Sequence, residues 1–278
     1  LCIDKDRRSH LKSFFVASAL LLSVGCIGIA TNANKLIPTY EYTPYTMRGG
    51  SELSSDSDSH NQKGLNLDYA TAWSYGINEM PNLMIPNYNG GSSSGSVNPD
   101  KSHTINTLRQ YGQGNLKDVA KSLPMYWGPQ PFTAGPMYMG AVTVFLFLLG
   151  LFLCKGMQRW WLLAATLIAV FLGVGRHFMP FTEFWYCNMP FYSKFRTVSM
   201  ALVILQFTLP MLGFYALDRI LKGKYTAEQF RIPACIALAL TAGFCLLLVI
   251  FPGIAGDFAS SSDSQMPGEL VNALREDR

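Results

Sequence analysis

Ile232-Pro-Ala-Cys-Ile-Ala-Leu-Ala-Leu-Thr-Ala-Gly-Phe-Cys-Leu-Leu-Leu-Val-Ile-Phe251 contains no Asp, Glu, Lys or Arg. A bilayer core about 30 Å thick is crossed by a helix of about 20 apolar residues. A charge at the centre of such a helix costs about 2.5–3.5 kcal/mol, and this run carries none. Working outward, charge-free stretches also occupy residues 13–34, 122–154, 160–175 and 197–217; only 160–175 falls a little short of spanning length. Charged residues make up 14 % of the 278 and apolar residues 49 %. A soluble domain carries about 25 % charge. The expected fold class is therefore all-α integral membrane: a polytopic helix bundle of about five spans, at residues 13–30, 137–154, 160–174, 198–217 and 232–251. A soluble enzyme, a disulfide-built secreted domain and a disordered chain are excluded.

Lysine and arginine orient these spans. Residues 1–12, 155–159 and 218–231 hold ten of the 22 Lys and Arg in 31 residues, whereas residues 31–136, 176–196 and 252–278 hold the other twelve in a far longer stretch. Short basic loops stay cytoplasmic. The N-terminus is then expected inside, with the long loop and the C-terminus extracytoplasmic, in a bacterial cytoplasmic membrane. Trp160, Trp161, Trp185, Tyr186, Tyr192, Tyr126 and Trp127 flank span ends, where aromatic rings sit at headgroup level. Pro210 is expected to kink the fourth span, which calls for neighbours that satisfy the freed carbonyl. The chain opens on Leu1 and closes on Val271-Asn-Ala-Leu-Arg-Glu-Asp-Arg278, a helix pattern cut short. An internal fragment of a longer polytopic protein is expected, with residues 252–278 as an extracytoplasmic tail and the truncated start of a following region.

Residues 31–136 are too long for a bare connection. A loop domain of mostly short helices is expected there. Residues 54–62 and 87–99 read as mobile or linker by their Ser, Asp, Asn and Gly content. Residues 67–85 are richer in order-forming side chains. Asn115 is placed to cap a short helix over 116–123 that stops before Pro124. The net charge of +4 does not point to nucleic acid, and neither the six cysteines nor the four histidines show metal-ligand spacing. No cofactor is identified, and a divalent metal is left open.

Candidate chemistry lies in four places. In Arg176-His-Phe-Met-Pro-Phe-Thr-Glu-Phe-Trp-Tyr-Cys-Asn-Met-Pro-Phe-Tyr-Ser-Lys-Phe-Arg196, eight of 21 residues are aromatic, so the segment is expected at the interface. Arg176, His177, Lys194 and Arg196 stand there against the positive-inside trend. They either grip a lipid phosphate through charge-assisted hydrogen bonds or snorkel to ordinary headgroups. Glu183 is expected to pair with Arg176 or Lys194, or to serve as an acid. In residues 39–53, Glu41, Arg48 and Glu52 lie among Tyr40, Tyr42 and Tyr45 beside the Gly49-Gly50 turn. The third place is Tyr126-Trp-Gly-Pro-Gln-Pro-Phe-Thr-Ala-Gly-Pro-Met-Tyr-Met-Gly140, where Tyr126 and Trp127 are sugar-stacking or interfacial rings. Asp68 and Glu79, flanking Trp73-Ser-Tyr-Gly76, suit carbohydrate.

Thr46-Met-Arg-Gly-Gly-Ser-Glu-Leu53, Trp73-Ser-Tyr-Gly76, residues 126–140, Phe178-Met-Pro-Phe-Thr182 and Pro190-Phe-Tyr-Ser-Lys-Phe-Arg196 occur in one order. Together they resemble the bacterial YfhO-type multispanning membrane-protein family, over about residues 13–254. That resemblance implies a GT-C-like glycosyltransferase. It would transfer a sugar from a polyprenyl-phosphate carrier to a cell-envelope glycan acceptor outside the cytoplasmic membrane. Lys194 and Arg196 would then hold the carrier phosphate, assisted by Arg176 and His177, and the general base is expected upstream of Leu1. Two other classes remain open: a lipid or glycan transporter, which would want an ionisable group mid-span, and a non-catalytic envelope-assembly protein.

Overall fold

The computed structural model describes residues 11–46, 65–112, 115–190 and 192–278. The chain forms two compact units, Leu1–Asn66 and Leu67–Arg278. In the first, helix α1 (Leu11–Thr31) leads into α2 (Ala33–Tyr42), which carries Pro38, and then a 3-10 turn at Thr43–Tyr45. None of the apolar window in α1 is buried within the chain.

The second unit joins a helical bundle to a layer of short elements. The bundle comprises α6 (Ala141–Leu153), α7 (Met157–Val174), α9 (Leu205–Leu221), α10 (Ala227–Leu238) and α11 (Phe244–Ile250). The layer holds α3 (Leu67–Ala70), α4 (His103–Gln110), α5 (Leu116–Val119) and α12 (Gly268–Asp277). The aromatic helix α8 (Met179–Asn188) follows α7.

Four helical runs are long and apolar enough to cross a membrane: Ser13–Thr31, Met157–Asn188, Val198–Leu221 and Ala227–Ile250. This is the pattern of a multi-pass helical membrane protein. The expected span over residues 137–154 is shorter, a helix of 13 residues at Ala141–Leu153. At 1.5 Å per residue it rises about 20 Å, well short of a bilayer core. Its beginning is displaced by backbone pairing: the amides of Met139 and Gly140 donate to Leu83 O at 3.0 and 3.1 Å. Residues 137–140 are therefore held against the layer instead of coiling, and Gly140 takes φ 100° at the helix start.

The Met157–Asn188 run is no straight rod. Ten residues of straight helix would separate Phe171 from Phe181 by about 15 Å, yet their rings lie 5.5 Å apart. The chain breaks at Gly175, φ 50°. A Cβ there would collide with Ser74 Oγ and Val198 Cγ2, so both conformation and space require glycine. Phe178 stacks on Phe181 at 5.9 Å, and α8 leaves Phe184 exposed, which suits the interfacial role expected of this segment.

Small residues bring the helices together. A Cβ on Gly150 of α6 would meet Leu212 O at 2.8 Å, and one on Gly213 of α9 would meet Leu146 Cβ at 2.9 Å. Such close approach is how apolar helices gain contact where lipid offers equal hydrophobicity. Thr166 of α7 and Thr208 of α9, both buried, share a 2.8 Å hydrogen bond across the helices. Phe147, Leu162, Ala169, Leu202, Leu205, Leu209 and Leu212 form the bundle core, and Tyr75 of the layer completes it.

The layer's elements meet at one end of the bundle. Tyr75 N–H donates to Gly173 O at 2.8 Å, Ser199 N–H to Trp73 O at 3.4 Å, and Tyr88 Oη to Ala255 O at 3.4 Å. The described residues of 67–136, 173–199 and 255–278 thus share one end, while the basic connections 155–159 and 218–226 occupy the other. Arg159 donates there to Cys154 O at 3.0 Å, and Tyr225 packs with Leu149 and Leu153.

Residues 87–99 depart from the linker expectation. Ser93, Gly95, Val97 and Trp127 donate their amides to Thr133, Leu123, Ala120 and Asn89 carbonyls at 2.8–3.1 Å. Asn82 and Asn89, both fully buried, pair with each other at 2.9 Å. The Gly and Ser residues here permit the tight turns that the pairing needs, with Gly90 and Gly91 at positive φ. The expected helix at 116–123 is a single turn, α5, followed by the bridge between Gly95 and Leu123. Residues 54–62 lie outside the described residues.

Candidate functional site

The site is assembled around Trp73-Ser-Tyr-Gly76, which lies against the break at Gly175. Ser74 Oγ donates to Thr71 O at 2.7 Å and accepts from Arg176 N–H at 2.8 Å. Arg176 then returns a guanidinium bond, Nη2 to Asp68 O at 3.3 Å. Arg196 approaches the same short segment. Its guanidinium lies 4.5 Å from the Trp73 ring centre and 5.3 Å from that of Tyr69, and Nη1 donates to the Tyr69 hydroxyl. Cation–π contacts of this kind contribute about 0.5–1 kcal/mol at exposed sites. Trp73 is itself fixed, with Nε1 donating to Phe132 O at 3.1 Å and its ring edge-on to Phe132. Two arginines from opposite ends of the aromatic segment are thus tethered to residues 68–73. The Tyr192–Lys194 turn packs against α3, which brings Lys194 to the same neighbourhood.

Beside this segment lies a pocket of about 460 Å³. Its polar wall comprises Arg176, Gln130, Tyr126, Ser93, Ser260 and Ser262. Pro124, Pro129 and Pro131 stiffen the rest of the wall, since proline holds its own φ near −65°. Behind the wall is Glu79, only 1 % exposed. It accepts from Gly76 N–H at 2.7 Å, from Tyr126 Oη at 2.7 Å and from Gln130 Nε2 at 3.2 Å. The Tyr126 hydroxyl also accepts from Gln130 N–H at 3.0 Å. Burial first, and then the Glu79 carboxylate, push the Tyr126 phenol well above its ordinary range, so it stays a donor. Burial likewise raises Tyr75, with Glu79 adding to the effect.

The sequence candidates divide accordingly. Arg176 lines the pocket; Arg196, Trp73 and Asp68 gather at the neighbouring segment; His177 is exposed directly after Arg176. Glu183 is exposed on α8 and forms neither expected ion pair among the described residues. Tyr126 is buried yet contributes to the pocket wall. Trp127 is 7 % exposed and packs against Phe258 at 5.3 Å and Tyr88 at 6.2 Å, as part of the layer's interior. Glu41 is exposed on α2 in the first unit, while Arg48 and Glu52 lie outside the described residues. Gln130, Ser93, Ser260 and Ser262 carry no local sequence signal, and they enter the site only because distant loops converge. Among the described residues, no group of His, Cys, Asp or Glu is placed to hold a metal ion.

Compared with known proteins, the chain matches no protein-family model, no curated protein and no solved structure.

Proposed function

We propose that this chain belongs to a GT-C-like membrane glycosyltransferase of the YfhO-type kind. It takes a sugar from a polyprenyl-phosphate carrier and passes it to a cell-envelope acceptor on the extracytoplasmic side of a bacterial cytoplasmic membrane. One observation carries the reading. Arg176 lines a polar pocket at the end of apolar, membrane-length helices, on the end away from the short basic connections. A carrier lipid lies along such helices with its phosphate at their ends. A guanidinium there binds phosphate oxygens bidentately and stabilises the charge that grows on the leaving phosphate as the glycosidic bond breaks. Lys194 and Arg196 add positive potential beside it. Hydroxyls, an amide and a phenol on the pocket wall suit a polyol.

The test uses the full-length protein in proteoliposomes with radiolabelled polyprenyl-phosphate sugars. Arg176→Gln is expected to lower sugar transfer about 10²-fold, the loss typical when one charge-stabilising donor is removed, while membrane insertion is unchanged. Undiminished transfer overturns the role of Arg176. Movement of the intact lipid-linked sugar across the bilayer, without transfer, would identify a transporter instead.

A further inference from the structure

The pocket has one polar side chain whose orientation is dictated from behind. Both oxygens of Glu79 already act as acceptors, from Gly76 N–H and from Tyr126 Oη. The Gln130 amide therefore turns its NH2 toward Glu79, with Nε2 at 3.2 Å from Oε2 and 3.5 Å from Oε1. The backbone of the same residue is held too, its N–H donating to Tyr126 Oη at 3.0 Å. With Nε2 turned back to Glu79, the other end of the amide, the acceptor Oε1, is the end that Gln130 turns away from the carboxylate in the pocket it lines. Arg176, in the same wall, offers donors only.

From this geometry we propose that Gln130, positioned by the buried Glu79, is the specificity-determining residue of the pocket. Its Oε1 accepts a hydrogen bond from a ligand hydroxyl while Arg176 holds an adjoining phosphate, so the ligand class is a glycosyl phosphate, not a bare phosphate. The inference rests on reading the pocket as an anion site, and it adds what sits next to the anion. The donor-only arginine recognises charge alike in inorganic phosphate and in a sugar phosphate. A fixed acceptor tells the two apart, because a pocket built to pair with a hydroxyl leaves a polar group unpaired when the hydroxyl is missing. Preorganisation matters here. An amide free to flip would exchange Oε1 for its NH2, a donor that binds phosphate oxygens as readily as a hydroxyl, and the discrimination would be lost. Glu79 is a positioning residue in this scheme, acting through Gln130 without touching the ligand.

The experiment measures binding to the full-length protein in nanodiscs by titration calorimetry. Its probes are inorganic phosphate, a panel of hexose 1-phosphates, and short-chain polyprenyl-phosphate hexoses. The wild type is expected to prefer at least one hexosyl phosphate over inorganic phosphate by tenfold or more. The water-soluble and lipid-linked probes show whether the polyprenyl tail is needed. Gln130→Met, similar in size and without the acceptor oxygen, is expected to bring the preference to about one while phosphate affinity holds. Glu79→Met, which removes both acceptor oxygens, is expected to do the same by freeing the Gln130 amide, whereas Arg176→Gln weakens every probe. A preference that survives Gln130→Met, or a wild type that binds hexosyl phosphate and phosphate equally or binds neither, overturns the proposal. Selective, Gln130-dependent binding without sugar transfer would break the glycosyltransferase reading and leave this one standing; transfer with no Gln130-dependent preference would do the reverse.

Discussion

The bundle and the layer at its end are held by opposite kinds of interaction. Between α6, α7 and α9 the contacts are leucines against glycines, with one buried threonine pair, and the outward faces remain apolar. In the layer, buried polar groups are joined in networks. Glu79 collects three donors, Asn82 pairs with Asn89, and Arg278 makes a bidentate pair with Asp263 while also donating to Phe258 O and Pro124 O. Asp277 accepts from Ser102, His103 and Thr104 at the start of α4. The contrast follows from the surroundings. Inside lipid, apolar side chains gain nothing by leaving an apolar solvent, so close backbone approach decides the packing. The layer has a small apolar core, Ile105, Leu108, Ala120 and Leu123, and hydrogen bonds must specify the rest.

The comparison can be broken most severely at Arg278. Its side chain is fully buried and that of Asp263 is 5 % exposed. Removing one partner strands the other charge, at a cost of about 3–5 kcal/mol. Arg278→Gln is expected to destabilise the layer by that amount while the bundle holds. Hydrogen exchange should show it, with faster exchange in α4 and α12 and unchanged protection in α6 and α9; equal loosening of both would mean that the two regions unfold as one. Gly150→Leu attacks the other side. Its neighbour is the backbone oxygen of Leu212, which has no rotamer to move aside, and overpacking costs about 1–3 kcal/mol. A lowered midpoint in denaturing detergent, with α4 and α12 still protected, is the expected result.

Acid distinguishes the regions more gently. Burial alone would raise the carboxyls of Asp263 and Asp277. The Arg278 guanidinium and Ser260 amide on one, and the Ser102, Thr104 and His103 donors on the other, outweigh burial and hold both below the ordinary 3.8. A carboxyl lowered in the folded state adds stability that is complete above its ordinary value and is lost as pH falls through its folded value. The docking of α12 on α4 is therefore expected to hold at neutral pH and to loosen below about pH 3.8, before the bundle does; exchange measured against pH reads it. The smallest effect is expected at Thr208→Val, which removes one interhelical hydrogen bond worth about 0.6 kcal/mol. A loss of several kcal/mol there would mean that the bundle, too, depends on polar contacts.

Where the chain departs from its sequence reading, the cause is a partner far along the chain. Residues 87–99 read as linker because Gly and Ser have little to bury, yet their amides find carbonyls at Ala120, Leu123 and Thr133. The charge-free stretch ending at Cys154 reads as a full span, yet its first turn is claimed by Leu83 O. Arg176, Arg196 and Trp73 were legible as candidates from their residue types and positions. Gln130 was not, since one glutamine in a proline-rich run has no pattern until Glu79 is behind it.

Charge-free length is a local property, so the sequence alone marked where apolar helices run and which connections carry the basic residues, though not where the helix at Ala141–Leu153 begins. The pocket is different. Arg176, Gln130, Ser93 and Ser260 come from four separate connections, and all but Arg176 are ordinary surface residues until the chain closes. Only tertiary packing decided that they share a wall, because recognition requires atoms placed within a hydrogen bond of one ligand, and no period in the chain encodes that distance.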